Sequence, residues 1–361
     1  MTTTAVHRKV NFSAGPAVLP ESVLNEAKEN ILSYGGTGIG VMEQSHRGKS
    51  FVAILEKAES DLREILGLDA QWDVTFLSGG ATTQFYQIPM NFMKGGTANY
   101  HDTGVWSAKA IKEAKAFGTV HVASSSKNEN YTHIPKTFTY AEHGVYTHFT
   151  SNNTIYGTQY RTEPDSPVPL VCDASSDILS RPVDLAKYAA IYGGAQKNIG
   201  PAGVTIMVMR KSWTEAGADN IPSMLQYRNH AANQSCFNTP PCFPIYVASL
   251  VFQWIKDQGG LVKIDQYNQE KAAILYNFLD SSDYWTTPVA KEDRSLMNVV
   301  FRLPSEELDA KLIKDAAAEG YDGLKGHRSA GGLRASIYNA MTKENVQALV
   351  DFMKDWHAKN A

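Results

Sequence analysis

The sequence predicts an α/β fold with a largely parallel sheet, followed by a smaller C-terminal unit. Apolar runs of strand length alternate with amphipathic helical patterns through the first part of the chain, as is typical of a parallel sheet covered by helices. Several of these runs end in clusters of small polar residues. Because ligands of such sheets bind beyond the carboxyl ends of the strands, we expect these clusters to converge on one site.

The composition excludes several classes of protein. The 361 residues are enough for a large core and for two domains, and 43% hydrophobic with 20% charged residues is ordinary for a globular protein. A net charge of -3 gives no general attraction to nucleic acid or to an anionic membrane, so neither is expected as a partner. Without a membrane-spanning run or an apolar leader, the chain is predicted to be cytoplasmic. Its three cysteines are too few and too irregularly spaced for a disulfide framework or a zinc site, and no metal is predicted.

Two helices are predicted before the first strand. One opens after Pro20 and carries an apolar stripe from Val23 to Leu32, with Gly35 after it. The other spans residues 50–66, and Gly67 is placed to cap its C terminus.

The strands and helices then alternate. Strands are predicted at residues 74–77, 97–101, 119–123, 148–150, 169–173, 188–192 and 203–209, with helices at 84–93 and 107–116. The turn at 78–83 joins a strand to a helix, which is the geometry of a phosphate cradle, although a plain tight turn would use the same glycines. Asp173 ends a buried strand, and Thr154 lies in another polar cluster at a strand end.

Lys197 lies in the glycine-rich loop between the last two of these strands. An ammonium surrounded by glycine, alanine and strand ends is partly desolvated, which lowers its pKa and makes the nucleophilic amine accessible near neutral pH. A solvated lysine on a strand connector is the alternative.

The remainder of the chain is predicted to be irregular at 238–244 and then mainly helical. Helices are expected after 244 up to Gly259, at 261–279, at 306–319 and from Thr342 onward, with strands at 297–302 and 333–337. The basic, glycine-rich segment 325–334 suits an anionic substrate, and equally a solvated loop.

A strand-end aspartate followed 24 positions later by a loop lysine is a combination that pyridoxal phosphate chemistry needs. The lysine forms a Schiff base, and the aspartate keeps the pyridinium nitrogen protonated so that the ring can accept electrons.

Six stretches in order along the chain closely resemble the phosphoserine aminotransferases, a family of fold type I aminotransferases. They are NFSAGP (11–16), SHRGK (45–49), DASSDILSRP (173–182), GAQKNIGPAG (194–203), FNTPP (237–241) and KGHRSAGGLRAS (325–336).

The resemblance implies a large pyridoxal-phosphate-binding domain at 17–258 with a mainly parallel seven-stranded sheet. A small α+β domain would follow at 259–361, and residues 1–16 would pack against it. It also implies a homodimer with active sites at the subunit interface, and amino transfer from L-glutamate to 3-phosphohydroxypyruvate.

Roles for individual residues follow from the same resemblance. Lys197 would bind the cofactor and shuttle the proton, and Asp173 would pair with the ring nitrogen. Trp106 would stack on the ring and Thr154 would bind its phenolic oxygen. The phosphate contacts would be Ala81, Thr82 and Gln196, with Asn238 and Thr239 from the second subunit. The substrate carboxylates and phosphate would be bound by His46, Arg47, His327, Arg328 and Arg334.

Two positions depart from the pattern of many family members. Thr82 stands where an arginine is often found, so one positive charge near the substrate must come from elsewhere or be absent. Ala14 stands where some members have serine, which removes one candidate partner for the donor's carboxylate.

Other functions remain open on the sequence. The same scaffold could support a different transaminase, or a desulfurase with Cys236 or Cys242 as its reactive thiol. A non-catalytic phosphate- or nucleotide-binding protein built on the glycine-rich turns is an alternative from a different class.

Overall fold

Eleven β-strands and ten α-helices make up the structure, a computed structural model that describes residues 8–360. The strands are β1 (Val10–Asn11), β2 (Trp72–Ser78), β3 (Thr97–Asp102), β4 (Thr119–Ser125), β5 (Gly144–Thr150), β6 (Leu170–Asp173), β7 (Tyr188–Gly194), β8 (Val204–Arg210), β9 (Asn298–Phe301), β10 (Tyr321–Asp322) and β11 (Leu333–Ser336). The helices are α1 (Glu21–Glu29), α2 (Lys49–Leu66), α3 (Gln84–Phe92), α4 (Val105–Ala114), α5 (Lys211–Ala216), α6 (Tyr227–Ala232), α7 (Cys242–Asp257), α8 (Gly260–Leu279), α9 (Glu306–Ala318) and α10 (Lys343–Asn360).

The central sheet has seven strands in the order β2-β8-β7-β6-β5-β3-β4. Strand β8 pairs antiparallel with both β2 and β7, and the other pairs are parallel. This arrangement confirms the predicted α/β class with a mainly parallel seven-stranded sheet. The carboxyl ends of β2, β3, β5, β6 and β7 therefore lie at one edge.

Both faces of the sheet are covered at its centre, which explains why β6, β7 and β8 carry runs of buried apolar residues rather than an alternating pattern. Successive side chains of β7 enter different cores: Ile191 packs in the core that contains α2 and α7, and Tyr192 packs in the core that contains α3 and α4. All residues of β6 and β7 are buried. The strand ends are thus held rigidly where a site is expected.

Helix α2 confirms the predicted amphipathic pattern. Phe51, Ile54, Leu55 and Leu62 are buried on one face, and Gly67 ends the helix in the left-handed conformation with φ 67° and ψ 38°. Glycine is favoured there because it lacks the Cβ that strains this conformation.

Two predicted helix boundaries were wrong. Helix α1 ends at Glu29, and Leu32 is 83% exposed rather than part of a buried stripe. The Asn30 side chain donates to the Glu26 carbonyl and accepts from the Gly35 amide, and such local bonds compete with helix continuation. Helix α7 begins at Cys242, inside the stretch predicted to be irregular, since the first turn tolerates Pro244 without a backbone N–H.

The C-terminal part has an apolar core of its own, formed by α8, α9, α10, β9 and β11. Phe12 joins this core, and β1 pairs with β10. Helix α8 contributes Ile264 to the core beneath the sheet and Leu275 to the C-terminal core, so it links the two. These contacts support the predicted division into domains at 1–16, 17–258 and 259–361, and the division stays a prediction. Residues 1–7 and 361 lie outside the part of the chain that the structure describes.

None of the helices in residues 8–360 combines the length and apolar character needed to cross a membrane.

Candidate active site

A cavity of about 380 Å³ opens at the carboxyl edge of the sheet. Segments that follow β2, β3, β5, β6 and β7 line it, together with residues from the N-terminal segment and the segment around β11. Its lining includes nine of the residues predicted from the sequence: Ala81, Thr82, Trp106, Thr154, Asp173, Gln196, Lys197, His327 and Arg334. The convergence follows from the topology, because parallel strands present their carboxyl ends together.

Lys197 extends into this cavity from the loop between β7 and β8. Its Nζ lies 5.6 Å from the centre of the Trp106 ring, and among the described residues it forms no ion pair. Burial lowers the pKa of its amine; the Asp173 carboxylate opposes this effect, and the positive charge of Arg334 adds to it. Burial therefore shifts the equilibrium of this side chain toward the neutral amine.

Gly15 packs directly against the lysine side chain. A Cβ at this position would lie 3.1 Å from Lys197 Cγ, and the backbone φ of 140° also disfavours other residues. Glycine at this position thus leaves room for the Lys197 side chain.

Asp173 is the last residue of β6, and its side chain is buried. Its Oδ1 accepts hydrogen bonds from the Ser175 amide at 3.0 Å and from the Ser175 hydroxyl at 2.6 Å. Burial raises the pKa of the carboxyl, and Lys197 and the Ser175 hydrogen bonds act against that rise. Because Asp173 Oδ1 accepts both hydrogen bonds from Ser175, Asp173 Oδ2 is left to accept from a donor in the cavity.

Trp106, Thr154 and Arg334 form a connected group at the side of the cavity. The indole Nε1 of Trp106 donates to Thr154 Oγ1 at 3.1 Å, and Arg334 Nη1 donates to the Thr154 carbonyl at 2.8 Å. These bonds fix the plane of the indole ring and the direction of the guanidinium. The ring is thereby available for stacking and the arginine for an anion.

The turn after β2 leads through a short 3₁₀ segment, Ala81–Thr83, into α3. Gly80 precedes this segment and no side chain caps it, so the backbone N–H groups at its start are left for a ligand. An uncapped helix start attracts anions through these groups and the helix dipole.

The family of the chain is shown by comparison with known proteins. The profile described as Aminotransferase class-V matches residues 9–349. A phosphoserine aminotransferase of Desulfotalea psychrophila is 50% identical over 356 residues, which are 98% of this chain and 99% of that protein. The chain belongs to the phosphoserine aminotransferase family.

Two solved structures of phosphoserine aminotransferases extend this likeness to the fold. The enzyme of Bacillus circulans subsp. alkalophilus matches with a TM-score of 0.96 at 46% identity, over 98% of this chain and 99% of that one. The enzyme of Trichomonas vaginalis, solved with pyridoxal phosphate bound, matches with a TM-score of 0.92 at 36% identity, over 96% of this chain and 100% of that one. The fold type I class is thereby confirmed.

Five residues that the resemblance to phosphoserine aminotransferases assigns to the site do not line the cavity of this chain: His46, Arg47, Arg328, Asn238 and Thr239. Arg47, Arg328 and Thr239 are exposed, and His46 and Asn238 are half-buried. Their roles stay predictions. His327 does line the cavity, and its pKa is lowered by burial and by the positive charges of Arg334, Arg328 and Lys109.

Ser175 and Gly15 were not predicted as members of the site. Ser175 stands two residues after Asp173, a spacing at which a side-chain oxygen of aspartate commonly accepts from the backbone, so the sequence held a usable signal. The local sequence around Gly15 contained no signal that would place it in the site, since its approach to Lys197 joins segments far apart in the chain.

Proposed function

We propose that this chain transfers the amino group of L-glutamate to 3-phosphohydroxypyruvate, giving O-phospho-L-serine and 2-oxoglutarate in serine biosynthesis, with pyridoxal 5′-phosphate as cofactor. One observation carries the proposal: Lys197, without an ion-pair partner in the described part of the chain, shares one cavity with the buried carboxylate of Asp173. The family of the chain supports the same substrates and cofactor.

The residues of the cavity fit this cofactor. Lys197 offers an amine for the aldehyde, and Asp173 offers Oδ2 for the ring nitrogen. The uncapped start of the segment after Gly80 offers N–H donors for the phosphate, and the Trp106 ring offers a face for stacking. The volume of about 380 Å³ lies within the usual range of small-molecule pockets. When bound, pyridoxal phosphate accepts the electrons left on the substrate's α-carbon after its proton is removed.

Lys197 is the group that moves the proton. Its lowered pKa shifts the equilibrium toward the neutral amine, which would take the proton from the α-carbon of the amino donor and return it at the C4′ atom of the cofactor. Glycine at position 15 leaves the space that the lysine side chain occupies in the cavity.

Asp173 and Thr154 would hold the two sides of the cofactor ring. Asp173, oriented by Ser175, would keep the proton on the ring nitrogen. The Thr154 hydroxyl accepts from Trp106, so its own proton is free for donation to the phenolic oxygen. Ala81, Thr82 and Gln196 would contact the phosphate.

Arg334 and His327 would receive the anionic groups of the substrates. One guanidinium nitrogen of Arg334 is held by the Thr154 carbonyl, which orients the remaining donors toward a carboxylate. His46, Arg47 and Arg328 would add positive charge for the phosphate.

The proposed enzyme is a homodimer in which Asn238 and Thr239 complete the partner's site. The segment that leads to His46 and Arg47 carries exposed apolar side chains, with Leu32 83%, Ile39 50% and Met42 56% exposed. In such a dimer, apolar side chains exposed in one chain could be covered by the other. The cytoplasmic location stays a prediction.

The desulfurase alternative is not favoured by the geometry. Neither Cys236 nor Cys242 lines the cavity, and burial raises the pKa of both thiols, which disfavours the reactive thiolate.

Recognition of the substrate's phosphate group is tested with a keto acid that lacks this group. With glutamate as donor, kcat/KM for 3-hydroxypyruvate is expected to be about 100-fold below that for 3-phosphohydroxypyruvate, since two charge-assisted hydrogen bonds are lost. Arg328→Gln should lower kcat/KM for the phosphorylated acid alone. Equal values for the two acids in the unmodified enzyme would contradict the assignment.

A further inference from the structure

Lys271, on α8, is completely buried, at 0% exposure. Within residues 8–360 it has no carboxylate at ion-pair distance; its Nζ donates to Asn268 Oδ1 at 2.9 Å and to the Tyr338 carbonyl at 2.7 Å. Burial lowers the pKa of this amine well below its usual value, and Lys343 acts in the same direction. Two N–H groups remain on a neutral amine, so both bonds persist in either protonation state.

A chain of buried amides leads from Lys271 toward the loop between β7 and β8, which carries Lys197. Asn268 Nδ2 donates to Asn339 Oδ1 at 2.8 Å, and the backbone N–H of Asn339 donates to Asn198 Oδ1 at 2.9 Å. Because Lys271 donates to the oxygen of Asn268, the nitrogen of that amide must face Asn339. The lysine thus sets the orientation of the amides that follow.

The same amides hold the segment that follows β6. Asn339 Nδ2 donates to the Leu179 carbonyl at 2.8 Å, and Asn198 Nδ2 donates to the Ile178 carbonyl at 2.6 Å. Leu179 has a φ of 57°, a conformation that is strained for a leucine and must be held by its surroundings.

Each segment joined at Asn339 carries a group of the proposed site. Asn198 directly follows Lys197, Leu179 lies six residues after Asp173, and Asn339 lies five residues after Arg334. Tyr338 adds a link to the cavity wall, since its hydroxyl donates to the Ala14 carbonyl at 2.7 Å. Small movements at this junction would alter the distances between the amine, the carboxylate and the guanidinium.

We propose that Asn339 is a positioning residue, through which Lys271 and Asn268 hold the segments of Lys197, Asp173 and Arg334 at the separation that proton transfer requires. The inference rests on the proposed function. It concerns residues that do not touch substrate or cofactor, because neither Asn339 nor Lys271 lines the active-site cavity.

The test uses the cofactor-loaded Asn339→Ala variant, with Asn91→Ala as a matched control. Asn91 is similarly buried, and its side chain also forms two hydrogen bonds, but to the carbonyls of Gln87 and Leu225. Both variants should lose thermal stability. Only Asn339→Ala should shift the pH at which the visible absorption of the bound cofactor is half-way through its change with pH. It should also slow the single-turnover reaction with glutamate by about 10- to 100-fold, as misplacement of reacting groups does.

A wild-type midpoint and single-turnover rate in folded Asn339→Ala would overturn the proposal. If Asn339→Ala does not fold, the same two measurements on Asn339→Ser and Lys271→Met test the proposal. Both variants are expected to change the midpoint and the rate in the same direction as Asn339→Ala. The pH midpoint can be measured with bound cofactor alone, without any reaction. If the unmodified enzyme did not react with glutamate, the proposed function would be contradicted, and the pH midpoint of Asn339→Ala would still decide whether Asn339 positions the site.

Discussion

The pKa of Lys197 depends on charges that belong to different parts of the chain. Burial lowers it, and Asp173 from the sheet and Arg334 from the C-terminal part act in opposite directions. Because the cation of Arg334 disfavours a second cation beside it, the arginine has a role beyond binding an anion: it helps keep the lysine amine neutral.

Replacing Arg334 with Gln should therefore raise the pKa of Lys197. Only the neutral amine attacks the cofactor aldehyde, so the pH midpoint for capture of pyridoxal phosphate by the cofactor-free enzyme should move to higher pH. Stopped-flow absorbance over a pH series measures this midpoint. Arg328→Gln serves as control, since Arg328 is exposed and does not act on Lys197; an unchanged midpoint in Arg334→Gln would contradict the electrostatic account.

The chemically distinctive residues of the candidate site were easier to predict from the sequence than the supporting ones. Lys197 and Asp173 stand in local contexts, a glycine-rich loop and a strand end, that are unusual for charged side chains. Gly15 and Asn339 act through contacts between distant segments, which no local pattern contains. The positions of His46 and Asn238 outside the cavity also depend on tertiary structure.

At the scale of elements, a helix terminus could be predicted when its backbone conformation favours a particular residue type. Gly67 is such a position, because the left-handed conformation favours glycine. The end of α1 was missed because the apolar pattern continues past Asn30, whose side chain forms bonds that stop the helix. Hydrophobic periodicity indicates which residues could be helical, and local hydrogen bonds decide where the helix stops.

Gly67→Ala is expected to lower the free energy of unfolding by about 1–2 kcal/mol. An added Cβ would have no atom within 4 Å, so the cost arises from the backbone conformation alone. Chemical denaturation measures the change, and Gly67→Asn should cost less because asparagine tolerates this conformation. Equal stability of the alanine variant and the wild type would show that the cap contributes nothing.

At the scale of the whole molecule, the cavity of one chain contains only part of the predicted site. Asn238 and Thr239 stand away from it, as do Arg47 and Arg328. The fold type and the seven-stranded sheet were predictable, because they follow from the family that the sequence resembles. The proposed contributions of a second chain rest on that resemblance alone.

Mixing two inactive variants tests whether the site is shared between subunits. Lys197→Ala lacks the catalytic amine, and a variant with Asn238→Ala and Thr239→Ala lacks the contacts proposed for the partner's cofactor. Random exchange should place an intact Lys197 opposite an intact Asn238 and Thr239 in about a quarter of all sites. Activity assays after denaturation and refolding of the mixture measure the recovery, and an absence of recovery would contradict the shared site.

The proposed reaction is tested most directly by following the nitrogen atom itself. The cofactor-loaded enzyme is incubated with glutamate carrying isotopically labelled nitrogen and with 3-phosphohydroxypyruvate, and the products are analysed by mass spectrometry. We expect labelled O-phospho-L-serine and 2-oxoglutarate in equal amounts, and neither product with Lys197→Ala. Formation of 2-oxoglutarate without labelled phosphoserine, or full activity of Lys197→Ala, would contradict the proposed transfer.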